Sequence, residues 1–266
     1  MCCEYYFFGL ILTIGSFTSY SLTVSFMNRK EVFANDEYYH IFNRGVDKRT
    51  VFEDDDDRYR FLHGLYEFND KNVTAPFIQR IGKQLAVATY KTLRQKLSEE
   101  KNAKREKLVE ILCFCFMPNH FHLILKQLQE GGISKFMQKL GTGYTNYFNL
   151  KNERKGCLFQ GVFKSVYIKD DTQIMHLSRY IHILNPGELV ELQIREGIIK
   201  NHMGLQDFLK NYKWSSYQDY IGGDNYPSLI NKELLSGYFG GATAFEKFSL
   251  GWKNDDFSYI NDVILE

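Results

Sequence analysis

The chain is 266 residues long, 44% apolar, 24% charged and 16% aromatic, which excludes a disordered or collagen-like polymer and a small disulfide-stapled scaffold. Lys and Arg number 33 against 32 Asp and Glu, a net charge of +1, so bulk charge names no partner and only its placement can. The cysteines, at 2, 3, 113, 115 and 157, form no CxxC pair and read as reduced core thiols of a cytoplasmic protein.

Residues 5–26 carry no charged side chain, a stretch long enough to span a bilayer. It holds seven Ser or Thr and one compact apolar run, Tyr5 to Leu12, and Glu4 stands where a secretory signal needs basic residues. Met27 then opens an ordinary soluble sequence. Residues 1–26 are therefore expected to be a leader upstream of the true start, with a membrane anchor as the alternative reading.

Tyr38 to Asn43 (YYHIFN) reads as a strand closed by Arg44-Gly45. Asp54 to Asp57 supply the acids that a helix N-terminus favours, and Tyr59, Leu62, Leu65 and Tyr66 or Phe68 give that helix an apolar stripe. Lys71 to Glu110 contain ten Lys or Arg against four Glu. That basic stretch, about 71–107, is a solvated helical face or an insertion that meets a phosphate backbone. Leu108 to Phe116 predicts a buried strand, Met117-Pro118-Asn119 a turn, and His120 to Leu125 a second strand. After Gly131-Gly132, Ile133, Phe136, Met137, Leu140 and Tyr144 recur at helical spacing. Gly156 to Ile168 reads as loop then strand, and Asp170-Asp171-Thr172 caps a helix running to about Leu184, closed by Asn185-Pro186. Residues 205–220 look like a helical or turn-rich appendage, and 221–266 like a C-terminal extension. The order implies an α+β fold, a ferredoxin-like or RRM-like antiparallel sheet with helices on one face.

His120 and His122 are one residue apart on a strand, so period-two geometry puts both imidazoles on one face while Phe121, Leu123 and Leu125 point to the other. Two such imidazoles suit a divalent metal and leave positions open; the plain alternative is a pair of surface histidines. On the later helix, Ile174, Leu177, Ile181 and Leu184 form the buried stripe, with Tyr180 at its edge and His176 one turn earlier on the same flank. Periodicity alone leaves Tyr180 as either a core phenol or a nucleophile. A histidine-triad hydrolase is disfavoured because Ile124 stands where a third histidine would fall.

The motif MPNHFHLIL at 117–125, the helix FMQKLGTGYTNYFN, the segment GCLFQGVFKS, and SRYIHILNP followed by YKWSSYQDY occur in this order, after the opening YYHIFNRGVDKRTVFEDDDDRYRFL. Together they resemble the REP-associated tyrosine transposases, relatives of the single-tyrosine HUH transposases that act on single-stranded DNA. The resemblance covers roughly 35–70 and 108–220. It implies that residues 27–220 form an HUH catalytic domain, that His120 and His122 hold Mg²⁺ or Mn²⁺, and that Tyr180 is the nucleophile. Tyr144 and Tyr147 are then packing or DNA-facing residues. The family usually places a polar side chain four residues after the tyrosine. Here that position is Leu184, and Asn185 comes one residue late. Either a one-residue bulge re-aims Asn185 as third ligand, or that ligand is lost or replaced by a neighbour such as His182.

The expected reaction is attack by Tyr180 on a phosphodiester, giving a 5′-phosphotyrosine and a free 3′-hydroxyl that can reverse the step. The expected partner is single-stranded, hairpin-forming DNA, with Arg44, Lys48, Arg49, Lys164 and Arg179 following phosphates and Tyr or Phe at 144, 147, 148 and 159 available for stacking. The second reading is a catalytically degenerate nucleic-acid-binding module on the same fold. The sequence leaves monomer and homodimer both open.

Overall fold

The aromatic and β-branched runs pair with one another as strands: β1 (Tyr38–Arg44), β2 (Val109–Met117), β3 (His120–Gln127) and β4 (Lys164–Tyr167). The computed structural model describes residues 32–72, 105–252 and 254–264; the leader at 1–26 and positions 73–104 of the basic insertion lie outside them. The sheet order is β2-β3-β1-β4, with every neighbouring pair antiparallel. Residues directly opposite in an antiparallel ladder share a face. Two rows therefore cross the sheet on the histidine face. One is Arg44, His120 and Met117, and the other is Lys164, Phe42, His122 and Cys115.

The opposite face carries Phe121, Leu123 and Leu125, all buried, under helices α1 (Asp55–Glu67) and α2 (Gly132–Lys151). Helix α1 begins where its acids predict, because the Asp54 carboxylate accepts a bond from the Asp57 amide at 3.0 Å. The Phe61 ring fixes the layer, with its centroid 4.9 Å from Phe121, 5.1 Å from Phe116 and 5.0 Å from Tyr144. Tyr144 donates to the Val51 carbonyl at 2.5 Å and Tyr147 to Asp57 at 3.0 Å, so both are packing residues. Gly131 has φ +66°, and a Cβ on Gly132 would stand 2.4 Å from the Leu108 carbonyl oxygen. That approach is why two glycines open α2.

Helix α3 (Asp171–Arg179) starts with Asp170 accepting from the Gln173 amide at 2.9 Å. It widens into a π-turn at Tyr180–Leu184 and continues through Asn185–Gly187. Sequence placed the helix end at Asn185-Pro186. The structure carries it across Pro186 because the wide turn relieves the clash that a proline ring makes with the preceding turn of an α-helix.

The α+β class and the four-stranded antiparallel sheet with helices match expectation, and the turn that follows α3 adds a cover on the other face. The Tyr180 ring, in the π-turn that follows α3, meets the His122 ring, with centroids 5.8 Å apart, on the face opposite Phe121. Both phases of β3 are buried, His122 and Ile124 as fully as Leu123, so each face of the sheet needs a cover.

Residues 214–216 line the outer edge of β2, where the Phe116 amide donates to the Trp214 carbonyl and the Ser216 amide to the Phe114 carbonyl. Around them lie α4 (His202–Asn211), α5 (Tyr217–Tyr220), α6 (Glu233–Phe239) and α7 (Ala242–Leu250). Leu235, Phe245, Ile260 and Val263 are buried, so the segment after 220 contributes to the core. Among the described residues no helix is long and apolar enough to cross a membrane.

Candidate active site

Strand β3 sets its two imidazoles side by side, with ring centroids 5.0 Å apart and planes perpendicular. His122 is fully buried and His120 nearly so. The Tyr180 ring stands edge-on to His122, which brings together the two groups whose distance apart in sequence left their relation open. Tyr180 has no exposed surface.

The π-turn bears directly on Asn185. Its amide N–H bonds the Tyr180 carbonyl, a bond spanning five residues instead of four. The extra residue gives Asn185 the place, relative to Tyr180, that position 184 would hold in an unbroken α-helix. Asn185 is fully buried, and neither its side-chain nitrogen nor its side-chain oxygen has a hydrogen-bond partner among the described residues. Such groups cost about 1–3 kcal/mol each when left unmade. Imidazole nitrogens and an amide oxygen are donor types that could hold Mg²⁺ or Mn²⁺. Among the described residues no group of three or more His, Cys, Asp or Glu side chains that could hold a metal is found, here or elsewhere.

His182 does not replace Asn185. Its Nε2 lies 2.8 Å from the Ser216 hydroxyl, in the packing between the π-turn and α5. Burial pushes its pKa down to about 3. His176 stacks on Tyr259 at 4.3 Å and lies 3.7 Å from the Asp256 carboxylate, so its place on the Tyr180 flank is taken up by packing.

The expected phosphate-following cations divide. Lys48, Arg49 and Lys164 are exposed and Arg44 is half-buried, and Arg44 and Lys164 lie in the rows of His120 and His122. Arg179 departs from expectation. It is buried, ion-paired with Asp256, bonded to the Phe248 carbonyl and stacked on the Phe248 ring at 3.7 Å. A guanidinium so engaged ties α3 to the C-terminal segment and is not presented to DNA.

Three residues near the site carried no role in the sequence reading. His40 on β1 lies diagonal to His122, with its Nε2 2.9 Å from His122 Nδ1. Asn119, in the β2–β3 turn, has its Oδ1 2.6 Å from His120 Nδ1. The Arg195 guanidinium sits 5.4 Å from the Tyr180 ring centroid and pairs with Glu188. Period-two reading of YYHIFN already puts His40 and Phe42 on one face, a signal for His40. Nothing local points to Arg195, which lies fifteen residues on from Tyr180 in a short 3₁₀ turn, Ile194–Glu196.

Compared with known proteins, the chain matches none of the curated sequences. A solved structure of a REP-associated tyrosine transposase bound to a REP hairpin aligns at TM-score 0.38 and 13% identity, over 77% of this chain and 92% of that one. The profile of the family described as transposase, IS200-like, matches residues 33–183, which take in β1 to β4, both histidines and Tyr180. A match over more than half the chain places this protein in the IS200-like transposase family.

Proposed function

We propose that the chain cuts and rejoins single-stranded, hairpin-forming DNA through a covalent 5′-phosphotyrosine at Tyr180. The observation that carries this reading is the contact of the Tyr180 phenol with the His122 imidazole, one wide turn ahead of the buried, unbonded Asn185 amide. In the cleavage step Tyr180 Oη forms a bond to phosphorus as the bond from phosphorus to the 3′ oxygen breaks. The phenol gives up its proton and the leaving oxygen gains one. The number of phosphoester bonds is unchanged, so the free 3′-hydroxyl can attack the tyrosyl phosphate and rejoin a strand without a nucleotide cofactor.

His120, His122 and Asn185 would hold the divalent cation, Mg²⁺ or Mn²⁺. When bound, that ion supplies positive charge against the nonbridging phosphate oxygens and the departing 3′ oxygen. Arg44 and Lys164 flank the histidine rows, and Lys48 and Arg49 extend the basic edge. They give a strand places to lay its phosphates. The hairpin preference rests on the sequence motifs shared with REP-associated transposases. The buried thiols of Cys113 and Cys115 support a cytoplasmic setting.

A second reading, a binding module that has lost catalysis, draws on the complete burial of Tyr180. A hairpin oligonucleotide with a single-stranded flank, incubated with protein and Mn²⁺, separates the two. The transposase reading expects a covalent adduct that survives denaturation, disappears in Tyr180→Phe and leaves that variant's DNA affinity within about twofold of the parent. Binding by the parent protein with no adduct under any divalent cation would favour the module.

A further inference from the structure

The two imidazoles of β3 are each tied, through one intermediate side chain, to a main-chain carbonyl. On one arm the Asn119 side-chain nitrogen donates to the Lys48 carbonyl at 3.2 Å, which turns the Asn119 oxygen toward His120 Nδ1, 2.6 Å away. On the other, His40 Nδ1 lies 2.6 Å from the Val263 carbonyl and His40 Nε2 lies 2.9 Å from His122 Nδ1. A carbonyl oxygen can only accept. The Val263 carbonyl therefore places the proton of a neutral His40 on Nδ1 and leaves its Nε2 bare. A bare Nε2 can only accept, so the His122 proton is drawn to Nδ1. The Asn119 oxygen imposes the same choice on His120.

We infer that Asn119 and His40 are positioning residues that lock His120 and His122 in one shared tautomer, Nδ1 protonated and Nε2 bare, with the C-terminal turn at Val263 as the distant anchor. Both bare nitrogens are then of the kind that ligates a metal, and neither ring must re-tautomerise when the ion arrives. The relay deepens the proposed function by setting how the histidines are prepared for Mg²⁺ or Mn²⁺. It also gives a role at the site to a segment 80 residues beyond the end of the family match, position 263 against 183. Register explains the reach. His40 pairs with Ile124 and Phe42 with His122, so His40 and His122 share a face as diagonal neighbours. Full burial of both rings keeps water from competing for either nitrogen.

The direct test is long-range ¹H–¹⁵N correlation of the imidazoles in the full chain, metal-free with chelator present, alongside Mn²⁺ binding followed by loss of free-ion paramagnetic resonance. The parent protein is expected to show protonated Nδ1 and pyridine-type Nε2 at both His120 and His122. His40→Leu is expected to release His122 to a mixed tautomer while His120 stays locked, and to weaken Mn²⁺ binding about ten- to hundredfold. His40→Gln, which keeps an oxygen able to accept from His122, restores the tautomer and most of the affinity. Asn119→Ala moves His120 and spares His122. Protonated Nε2 at His122 in the parent overturns the inference without recourse to any variant, as does a His122 signal unmoved in a folded His40→Leu protein. Locked tautomers without Mn²⁺ binding would uphold the relay and sink the metal-assisted reading, so the two fail separately.

Discussion

The side chain with the clearest conflict between stability and use is Asn185. Its amide is buried without a partner among the described residues, which opposes folding, while its place one wide turn after Tyr180 would suit a metal ligand. Asn185→Leu removes the unbonded polar atoms at similar volume. The expected outcome is a gain of about 1 kcal/mol in stability, read as a raised urea midpoint at unchanged m-value. The same variant should bind Mn²⁺ at least tenfold more weakly than the parent. A variant that is both less stable and unaltered in Mn²⁺ affinity would mean that the amide is structural.

Among elements, the join between α3 and α5 is sensitive to pH. His182 is neutral in the folded protein because burial lowers its pKa from 6.5 to about 3. In the unfolded chain it takes up a proton below about 6.5. The unfolded state then binds more protons, so this group's contribution is intact above pH 6.5 and is lost as pH falls toward 3. Between pH 7 and pH 5 the loss amounts to about 2 kcal/mol. Burial acts on Asp219 with the opposite sign, raising its pKa to about 6, so its contribution grows as pH falls from 6 toward 4. Urea unfolding of the parent and of His182→Gln at both pH values isolates the histidine. The gap between them should narrow at pH 5, and a constant gap would show that His182 does not carry the acid sensitivity.

The elements themselves were largely legible. Tyr38–Arg44, the strand pair around Pro118-Asn119, and the capped starts of α1 and α3 follow from alternation and from acids at helix N-termini, which are local signals. What sequence could not decide was the course of the chain at 180–187. A π-turn leaves no compositional mark, and Pro186 argued for a helix end. The same turn sets Asn185 one wide turn after Tyr180, whereas His182 goes to Ser216. Arg179, expected among the phosphate-following cations, is instead buried by the segment after 220, which nothing local to it announces. His40 was visible only as a strand residue, because its partner Val263 lies 223 residues away.

On the scale of the molecule, the sheet separates two jobs. One face, under α1 and α2, is an aromatic core built on Phe61, Phe116, Phe121 and Tyr144. The other face carries the histidines, covered by α3, with the C-terminal turn bonded to His40. Tyr180 has no exposed surface, so under the proposed function a phosphodiester would reach it only when that cover rearranges. Exposed Lys164 and Arg49 are expected to act on DNA through charge alone. Replacing either with Ala should lower the slope of log affinity against log salt by about 0.7 for a single-stranded ligand, with folding stability unchanged. Arg179→Ala should do the reverse, destabilising the fold with little effect on that slope. A salt slope untouched by Lys164→Ala and Arg49→Ala would move the DNA path off this edge.

The proposed chemistry requires that Tyr180 Oη carry the DNA. Trypsin cleaves after Arg179 and Arg195, and the peptide between them, YIHILNPGELVELQIR, contains one tyrosine. Mass mapping of the denatured, nuclease-trimmed adduct is expected to find the nucleotide phosphate on that peptide, at Tyr180. A phosphonucleotide on the peptide holding Tyr144 and Tyr147, or on any other peptide, would contradict the assignment.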